Sequence, residues 1–319
     1  MIISSRNLFK IAFSIALVGT SYSVTAARAD IAPDPMSGGI SLGVMGKEKT
    51  DVSLIHNTVK LQISPSLCKT RAWFRLKNTG PASGFEVGFP LNYQGEAKDF
   101  EVWIDGKAQK VEDRAIQYQV PINRLKTRYW KIFPMKFKAK ETLLAEVRYS
   151  NAPPQGWATT LNSQQGAYPL FSKWRRTGFS YSLADFGIKE GGQMHDWVAL
   201  RTVQYILVSG SEWKGPIERC RVEANIENIA PDALTDVRPP AHFVSPRQLK
   251  WEWKQVNPAE NIVINFMGHA PLETIAVLEK IAAKHPDDEA VAETLKAMKI
   301  DFPDAATIRE RQKSFAAPK

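Results

Sequence analysis

Residues 59–91 read VKLQISPSLCKTRAWFRLKNTGPASGFEVGFPL, and this stretch decides the fold. From residue 68 onward the side chains alternate with a period of two, which is typical of a β-strand with one face in the core. The inward face is mostly apolar and consists of Cys68, Thr70, Ala72, Phe74 and Leu76. The outward face is basic and consists of Lys69, Arg71, Trp73, Arg75 and Lys77. A turn at residues 78–81 and a second strand-like run at residues 85–89 predict a hairpin, and the hairpin predicts a β-sandwich.

The same period of two continues through most of the chain and then stops. The 319 residues are enough for two modules. The Pro-rich run NAPPQG at residues 151–156 is the best boundary between them. After Gly268 the apolar residues follow helical spacing, with Ile275, Leu278 and Ile281 on one stripe. We therefore predict a mainly β protein, with two antiparallel sandwich-like modules and a C-terminal α-helical hairpin.

The predicted organisation has four parts. They are a signal peptide at residues 1–29, a first β-sandwich module at 30–155, a second β module at 156–268, and the helical hairpin with a charged tail at 269–319. Within the second module we expect loops over residues 157–192 and a long strand over residues 197–208. Because its two apolar stripes can cover each other, we expect the hairpin to fold separately from the β core.

The first residues form a targeting segment. Arg6 and Lys10 frame the start of an apolar run at residues 11–18, and ARA at residues 27–29 has the small-x-small pattern of a cleavage site. The apolar run is too short to span a bilayer comfortably, and no later segment reaches the ~20 apolar residues that a spanning helix needs. We therefore predict a periplasmic or secreted protein with no transmembrane segment after cleavage.

Export changes the meaning of the two cysteines. In an oxidising compartment a pair of cysteines is more often a disulfide than a metal or catalytic site. Cys68 and Cys220 both fall on inward strand faces, so we predict a Cys68–Cys220 disulfide. The alternative is a pair of buried free thiols.

The formal net charge is +9, and it falls to +6 when the three cations of the targeting segment are removed. That balance suits anionic envelope polymers or lipid headgroups, although proteins that bind neither often share it. Two aromatic-basic clusters are candidate ligand-binding sites, because indoles stack on sugar rings and cations attract carboxylate or phosphate. They are Arg128, Tyr129, Trp130 and Lys131, and then Trp174, Arg175 and Arg176. The alternative is that the tryptophans pack inward while the cations face water.

Sequence patterns of catalysis and metal binding are largely missing. The five histidines are isolated from one another, and His195-Asp196 is the one close pair of a histidine and an acid. Neighbours in a strand face opposite ways, so this pair predicts no metal site. No nucleophile elbow or phosphate-binding glycine loop occurs. We assign no catalytic residue, metal or cofactor, and export argues against nucleic acid as a partner. Whether the protein is an enzyme stays open, with a non-enzyme favoured.

Three stretches of the chain resemble a family of secreted bacterial proteins known as domain of unknown function 4424. They are KNTG…VGFPL within residues 77–91, LKTRYWKIFP…AEVRY within residues 125–149, and YILVSGSEWKGPIERCRVE at residues 205–223. The first module is also similar, more weakly, to the sandwich of vault and inter-alpha-trypsin domains. The family has no assigned activity, so the resemblance implies no catalytic residue.

From these observations we predict an exported, non-catalytic binding or assembly component of the bacterial cell envelope. One alternative is a protein that binds an anionic glycan or lipid through the two aromatic-basic clusters. Another is an envelope hydrolase whose site is assembled from distant residues. An envelope protein is a further candidate partner, through the C-terminal helical hairpin.

The targeting segment makes a prediction for the exported protein. Its first residue should be Asp30, because cleavage follows the small residue at position 29. N-terminal sequencing of protein from the envelope fraction checks this. A sequence that begins at Met1 would show that the segment is retained as an anchor.

Overall fold

The structure is a computed structural model that describes residues 43–44, 50–90, 97–120, 124–155, 168–189, 192–207 and 213–317. All of them fall in the unit Ala32–Lys319. The predicted signal peptide and residues 157–167 and 190–191 of the predicted loops lie outside the described residues.

The described ranges contain fifteen strands and five α-helices. The strands are β1 (Gly43–Val44), β2 (Val52–Ile63), β3 (Cys68–Asn78), β4 (Ser83–Pro90), β5 (Lys98–Ile104), β6 (Lys107–Ala108), β7 (Glu112–Val120), β8 (Arg124–Phe137), β9 (Thr142–Asn151), β10 (Leu200–Tyr205), β11 (Ile217–Ile226), β12 (Leu234–Arg238), β13 (His242–Ser245), β14 (Gln248–Val256) and β15 (Ile262–Met267). The helices are α1 (Pro169–Thr177), α2 (Met194–Val198), α3 (Pro271–Lys284), α4 (Glu289–Asp301) and α5 (Ala305–Ser314). The prediction of a mainly β protein with C-terminal helices is confirmed. Within these ranges no helix has both the length and the apolar character needed to cross a membrane.

Hydrogen bonding arranges the described strands in three sheets. The largest has eight strands in the order β13-β14-β11-β2-β3-β9-β5-β6, the second has the order β1-β4-β8-β7, and the third has the order β10-β15-β12. Among these strands, neighbours pair antiparallel except β2 and β11, which run parallel with His56 opposite Arg219. This pair takes one strand from each side of the predicted module boundary at residue 155, so the largest sheet does not follow that boundary.

The stretch at residues 59–91 is an arch rather than the predicted hairpin. β3 pairs with β2 and β9 in the largest sheet, whereas β4 pairs with β1 and β8 in the four-stranded sheet. The chain leaves the first sheet at Asn78, whose side-chain Nδ2 donates to the Pro81 carbonyl oxygen at 2.6 Å. The rings of Phe74 and Phe89 then meet across the two sheets, with centroids 6.2 Å apart. The hairpin prediction was wrong because alternation shows which side chains of a strand face the core but not which other strand pairs with it.

Aromatic rings fill the core between these two sheets. The Phe89 ring lies at its centre, with centroids 5.4 Å from Phe100 and 6.1 Å from Phe133. Phe74, Phe89 and Phe133 are fully buried. Burial of one such side chain contributes about 1.5–3 kcal/mol, so this cluster is a major reason why the two sheets stay together.

The C-terminal helices pack onto the β core. α3 and α4 form the predicted hairpin, and α5 continues the chain as a third helix. Leu278 of α3 and Met298 of α4 belong to the same apolar core as the strands. Backbone hydrogen bonds, each 2.8 Å long, tie Ala241 to Phe315 and to Ala317. The buried side chains of the hairpin are therefore shared with the rest of the core, and its separate folding stays a prediction.

Two short helices occupy segments where the sequence predicted none. α1 lies in the segment expected to be loops, and α2 lies at the start of the strand expected over residues 197–208, of which β10 is the strand observed. α1 begins at Pro169 and ends before Gly178, whose φ of 72° suits the residue after a helix. Helices of nine and five residues repeat the helical period too few times for the pattern to stand out.

The predicted Cys68–Cys220 disulfide is wrong, because both cysteines are free and buried. Cys220 lies opposite Asn57 of β2, and Asn57 lies opposite Phe74 of β3, which is six residues along that strand from Cys68. Two strand spacings and six residues place the two Cα atoms roughly 20 Å apart. A disulfide needs less than about 7 Å. Burial raises the pKa of each thiol to about 12, so both are unreactive at neutral pH.

A buried hydrogen bond to α4 makes a prediction about stability. The Tyr168 hydroxyl donates to Asp301 Oδ2 at 2.8 Å, and both residues are fully buried. Tyr168→Phe should lower the free energy of unfolding by about 1–3 kcal/mol, because it deprives a buried carboxyl oxygen of this donor. Urea unfolding measures the change. Tyr129→Phe is the matched control, because Tyr129 is 42% exposed, and equal stability of the two variants would contradict the prediction.

Candidate functional site

The first predicted cluster does not present its tryptophan to solvent. Trp130 is 7% exposed and packs inward on β8, whereas Tyr129 is 42% exposed. Lys131 forms an ion pair with Asp113, with Nζ and Oδ1 2.6 Å apart. The side chain of Arg128 lies outside the described residues. Of the two aromatic rings predicted here, Tyr129 is therefore the one that reaches the surface.

The second predicted cluster lies on α1, and its tryptophan is in contact with another ring. The Trp174 ring stacks on His195, with centroids 3.9 Å apart and planes at 8°. Arg175 and Arg176 are exposed in the last turn of the helix. No hydrogen bond, ion pair or ring contact joins the described residues of the two predicted clusters. The structure therefore does not assemble them into one site.

An open cleft of 610 Å³ lies between α1 and the turn that joins α3 to α4. Its cations and acids are equal in number: Lys173, Arg176 and Lys284 against Asp287, Asp288 and Glu289. Asp288 accepts hydrogen bonds from Lys173 Nζ and from the Tyr181 hydroxyl, both at 2.5 Å. Because these charges balance and partly pair within the protein, the cleft offers little net charge to a ligand.

The outer face of the largest sheet gathers more cations than either predicted cluster. Its centre is the outward face of β3, where the alternation expected from the sequence is observed. Outward residues of the neighbouring strands extend it on both sides. We call this surface the basic face, and it consists of Lys60, Lys69, Arg71, Trp73, Arg75, Lys77, Glu101, Trp103, Glu146 and Arg148.

Strand register places the tryptophans and arginines of the basic face side by side. Trp73 and Trp103 lie on either side of Glu146, and in the next row Arg71 lies opposite Arg148. The Arg71 guanidinium carbon is 4.5 Å from the centre of the Trp73 ring, and that of Arg148 is 4.4 Å from the centre of the Trp103 ring. Glu146 Oε1 accepts from Nε of both arginines, at 2.6 Å each. These contacts hold both guanidinium groups flat on the sheet.

The basic face carries more positive charge than it neutralises. Lys60, Arg71 and Arg148 lie in one row of neighbouring strands, and like charges directly opposite each other cost free energy. The acids of the basic face are Glu146 and Glu101, and Glu101 lies opposite Arg148. The partial burial of Glu146 opposes its ionisation, but hydrogen bonds from the two arginines outweigh this effect and lower the pKa of Glu146. The cations that form no ion pair with a described residue are Lys60, Lys69, Arg75 and Lys77.

These contacts decide which ligand chemistry the basic face suits. An arginine guanidinium group already packs against each indole, so the tryptophans orient arginines instead of offering bare rings to a sugar. The side chains of Arg71 and Arg148 remain 48% and 42% exposed. An oriented guanidinium binds carboxylate or phosphate through two parallel hydrogen bonds. The basic face therefore suits a ligand with several anionic groups.

The described residues offer little of what an enzyme site requires. Among them, no group of three or more His, Cys, Asp and Glu side chains could hold a metal ion. His195 and Asp196 lie on α2, with Nε2 and Oδ1 3.6 Å apart, so the expectation that they point away from each other in a strand is wrong. The imidazole is largely buried against Trp174, and this burial lowers the pKa of His195. A substrate would meet the half-exposed Asp196 before the imidazole.

The fold and the basic face together define a class: a mainly β protein whose largest sheet has a basic outer face. No family model and no curated protein matches the chain. Among solved structures, it is similar to a proposed nutrient binding protein from Legionella pneumophila subsp. pneumophila str. Philadelphia 1, with 12% identity, a TM-score of 0.47, and coverage of 89% of this chain and 91% of that one.

Two further similar structures are M1 zinc metallopeptidase mutants. A two-domain enzyme bound to tryptophan has 10% identity and a TM-score of 0.30, over 69% of this chain and 43% of that one. An enzyme from Deinococcus radiodurans bound to a Tyr-Ser-Ala substrate has 10% identity and a TM-score of 0.26, over 68% of this chain and 39% of that one. Likenesses this distant leave the function to be argued from the residues of the site.

The contacts of Glu146 predict how stability depends on pH. A carboxyl group whose pKa is lower in the folded protein stabilises the fold above its unfolded pKa of about 4.3, and this contribution is lost as the pH falls through the folded pKa. Glu146→Gln should therefore lower the free energy of unfolding at neutral pH, by at most about 1 kcal/mol for a partly exposed pair. Urea unfolding should show a smaller loss near pH ~3.

The control for this measurement is Glu227→Gln. Glu227 is exposed and forms no ion pair with a described residue, so its substitution should leave stability unchanged at both pH values. A loss for Glu146→Gln that is the same at both pH values would contradict the role given to its ion pairs.

Proposed function

We propose that this protein is an exported, non-catalytic binding component of the bacterial cell envelope that holds an anionic glycan on the basic face. Its place in the periplasm or outside the cell, and its relationship to the domain of unknown function 4424 family, are parts of the same proposal. The observation that carries it is the row Lys60, Arg71 and Arg148, in which three cations lie side by side between Glu223 at one end and Glu101 at the other. The contacts between like charges within this row cost stability, and a bound anion would reduce that cost.

The geometry of β3 favours a linear ligand. Its outward side chains occupy alternate positions from Lys69 to Lys77, so they recur about every 7 Å over roughly 27 Å. A glycan with one acid on each sugar can contact several of them together. Each exposed ion pair contributes at most about 1 kcal/mol. Useful affinity therefore requires several contacts at once, and it should weaken with salt.

An anionic membrane surface is an alternative source of the same charge. Peripheral attachment to lipid combines basic residues with an apolar segment that enters the bilayer. On the central strands of the largest sheet, the exposed large apolar side chain is Leu144, at 39%. A single leucine is a weak anchor, so the structure favours the glycan.

A protein partner at the helical hairpin is the second candidate. The stripes that suggested it are occupied in the core, since Leu278 and Met298 are fully buried. Ile300 of α4 is 54% exposed and remains available to a partner. One exposed isoleucine supports a smaller contact than the basic face does, and we rank the assembly role below glycan binding.

Retention on an immobilised polyanion tests the proposal. The purified protein is passed over polygalacturonate and over neutral dextran, at about 0.05 M and about 0.5 M NaCl. We expect retention on polygalacturonate at the lower salt concentration and none on dextran. The double variant Arg71→Gln/Arg148→Gln should bind about tenfold more weakly or worse, because it removes two oriented charges.

Two matched double variants serve as controls. Lys136→Gln/Lys140→Gln removes the same charge from exposed positions on β8 and the turn after it. Arg175→Gln/Arg176→Gln removes it from the second predicted cluster. Both should bind as the wild type does. Equal losses in all three double variants, or retention on phosphatidylglycerol vesicles but not on polygalacturonate, would overturn the proposal.

A further inference from the structure

A bulge in β2 turns a line of polar residues toward the basic face. The register between β2 and β3 shifts between Leu54 and His56, so Ile55 is an extra residue in β2. A bulge of this kind reverses which residues of a strand face inward. Val52 and Leu54 are buried before it, whereas the odd-numbered residues from 57 to 63 are buried after it. The outward residues of β2 after the bulge are therefore His56, Thr58, Lys60 and Gln62.

These residues line a depression of 380 Å³ in the outer face of the largest sheet. Its lining consists of His56, Thr58 and Lys60 from β2, and Arg219, Arg221 and Glu223 from β11. Thr58 lies opposite Arg221 on one side and opposite Trp73 on the other. Because a short threonine lies between two long side chains, it forms the floor. The depression thus depends on the parallel pairing of β2 with β11 and adjoins Trp73 of the basic face.

The acids beside the depression are neutralised by the protein, whereas its donors are not. Glu223 accepts hydrogen bonds from Arg221, and Glu252 accepts from Arg219 at 3.0 Å. The lining side chains that make no hydrogen bond or ion pair with a described residue are His56, Thr58 and Lys60. Three donors without partners therefore border one concave space, and a ligand with acceptor oxygens would satisfy them.

We infer that this depression is the specificity-determining subsite of the basic face and seats one acidic sugar residue by its carboxylate or phosphate oxygens. The inference rests on the proposed function and deepens it. Lys60 supplies the charge, while the Thr58 hydroxyl and the His56 ring donate hydrogen bonds. A volume of 380 Å³ lies near the lower end of small-molecule sites, which span about 300–1,000 Å³. That space suits a single sugar residue, while the rest of the polymer lies over β3.

Substitution at Thr58 tests the subsite without touching the arginines of the basic face. Thr58→Tyr fills the depression with a residue that favours strands, and it should weaken binding of an oligogalacturonate about tenfold, measured by isothermal titration calorimetry. Gln62→Tyr is the matched control, because Gln62 lies on the same face of the same strand but does not line the depression. It should bind within about twofold of the wild type.

Two smaller substitutions test the Thr58 hydroxyl separately from the volume of the depression. Thr58→Val keeps the shape and removes the donor, so binding should weaken about threefold or more. Thr58→Ser keeps the donor and should bind as the wild type does. Thr58→Val also carries the test if Thr58→Tyr fails to fold. The same titrations with polyphosphate distinguish the two anions, since the tighter ligand identifies carboxylate or phosphate as the group that is seated.

The outcomes separate this inference from the proposed function. Wild-type affinity in both Thr58→Tyr and Thr58→Val, with binding still lost in Arg71→Gln/Arg148→Gln, would overturn the subsite and leave the proposed function intact. Equal losses in Thr58→Tyr and Gln62→Tyr would also overturn it. A wild-type protein that binds neither oligogalacturonate nor polyphosphate would overturn both.

Discussion

The parallel pairing of β2 with β11 is the constraint on which the rest of the structure depends. It joins β13, β14 and β11 to the five strands β2, β3, β9, β5 and β6. Without it, the largest sheet would divide into two smaller sheets, each with a new open edge. The eight residue pairs between the two strands also determine the register. Val59 and Val222 consequently lie side by side in the core, while Thr58 and Arg221 lie side by side on the outer face.

Much of the fold could be predicted because alternation is a local property of each strand. It assigned the inward and outward residues of β3 correctly. The two-residue turn at Asp105-Gly106 is local in the same way, because both residues tolerate positive φ and adopt 46° and 76°. Strand partners could not be predicted in this way, since every half-buried strand shows a similar pattern. The arch at residues 59–91 and the pairing of β2 with β11 were missed for this reason. The disulfide prediction was wrong for the same reason, because two side chains that both face inward can still lie far apart along the sheet.

The candidate site likewise has a part that local alternation could predict and a part that it could not. Alternation placed Trp73 among cations on the outward face of β3, so that part could be predicted. Trp103 and Arg148 join it through the register of β5 and β9, which no local pattern contains. The predicted clusters were chosen by local density of aromatic and basic residues. Trp130 nevertheless packs inward and Trp174 stacks on His195, because a large aromatic ring gains more from packing than from exposure.

The central claim is that an anionic glycan lies along the basic face of the largest sheet. Lysine acylation footprinting, read by mass spectrometry with and without an oligogalacturonate, tests it most directly because it locates the ligand on the protein without any substitution. The account predicts that Lys60 and Lys69 become protected while Lys136 reacts as before. Protection of Lys173 and Lys284 beside the α1 cleft, with no change at Lys60, would contradict it.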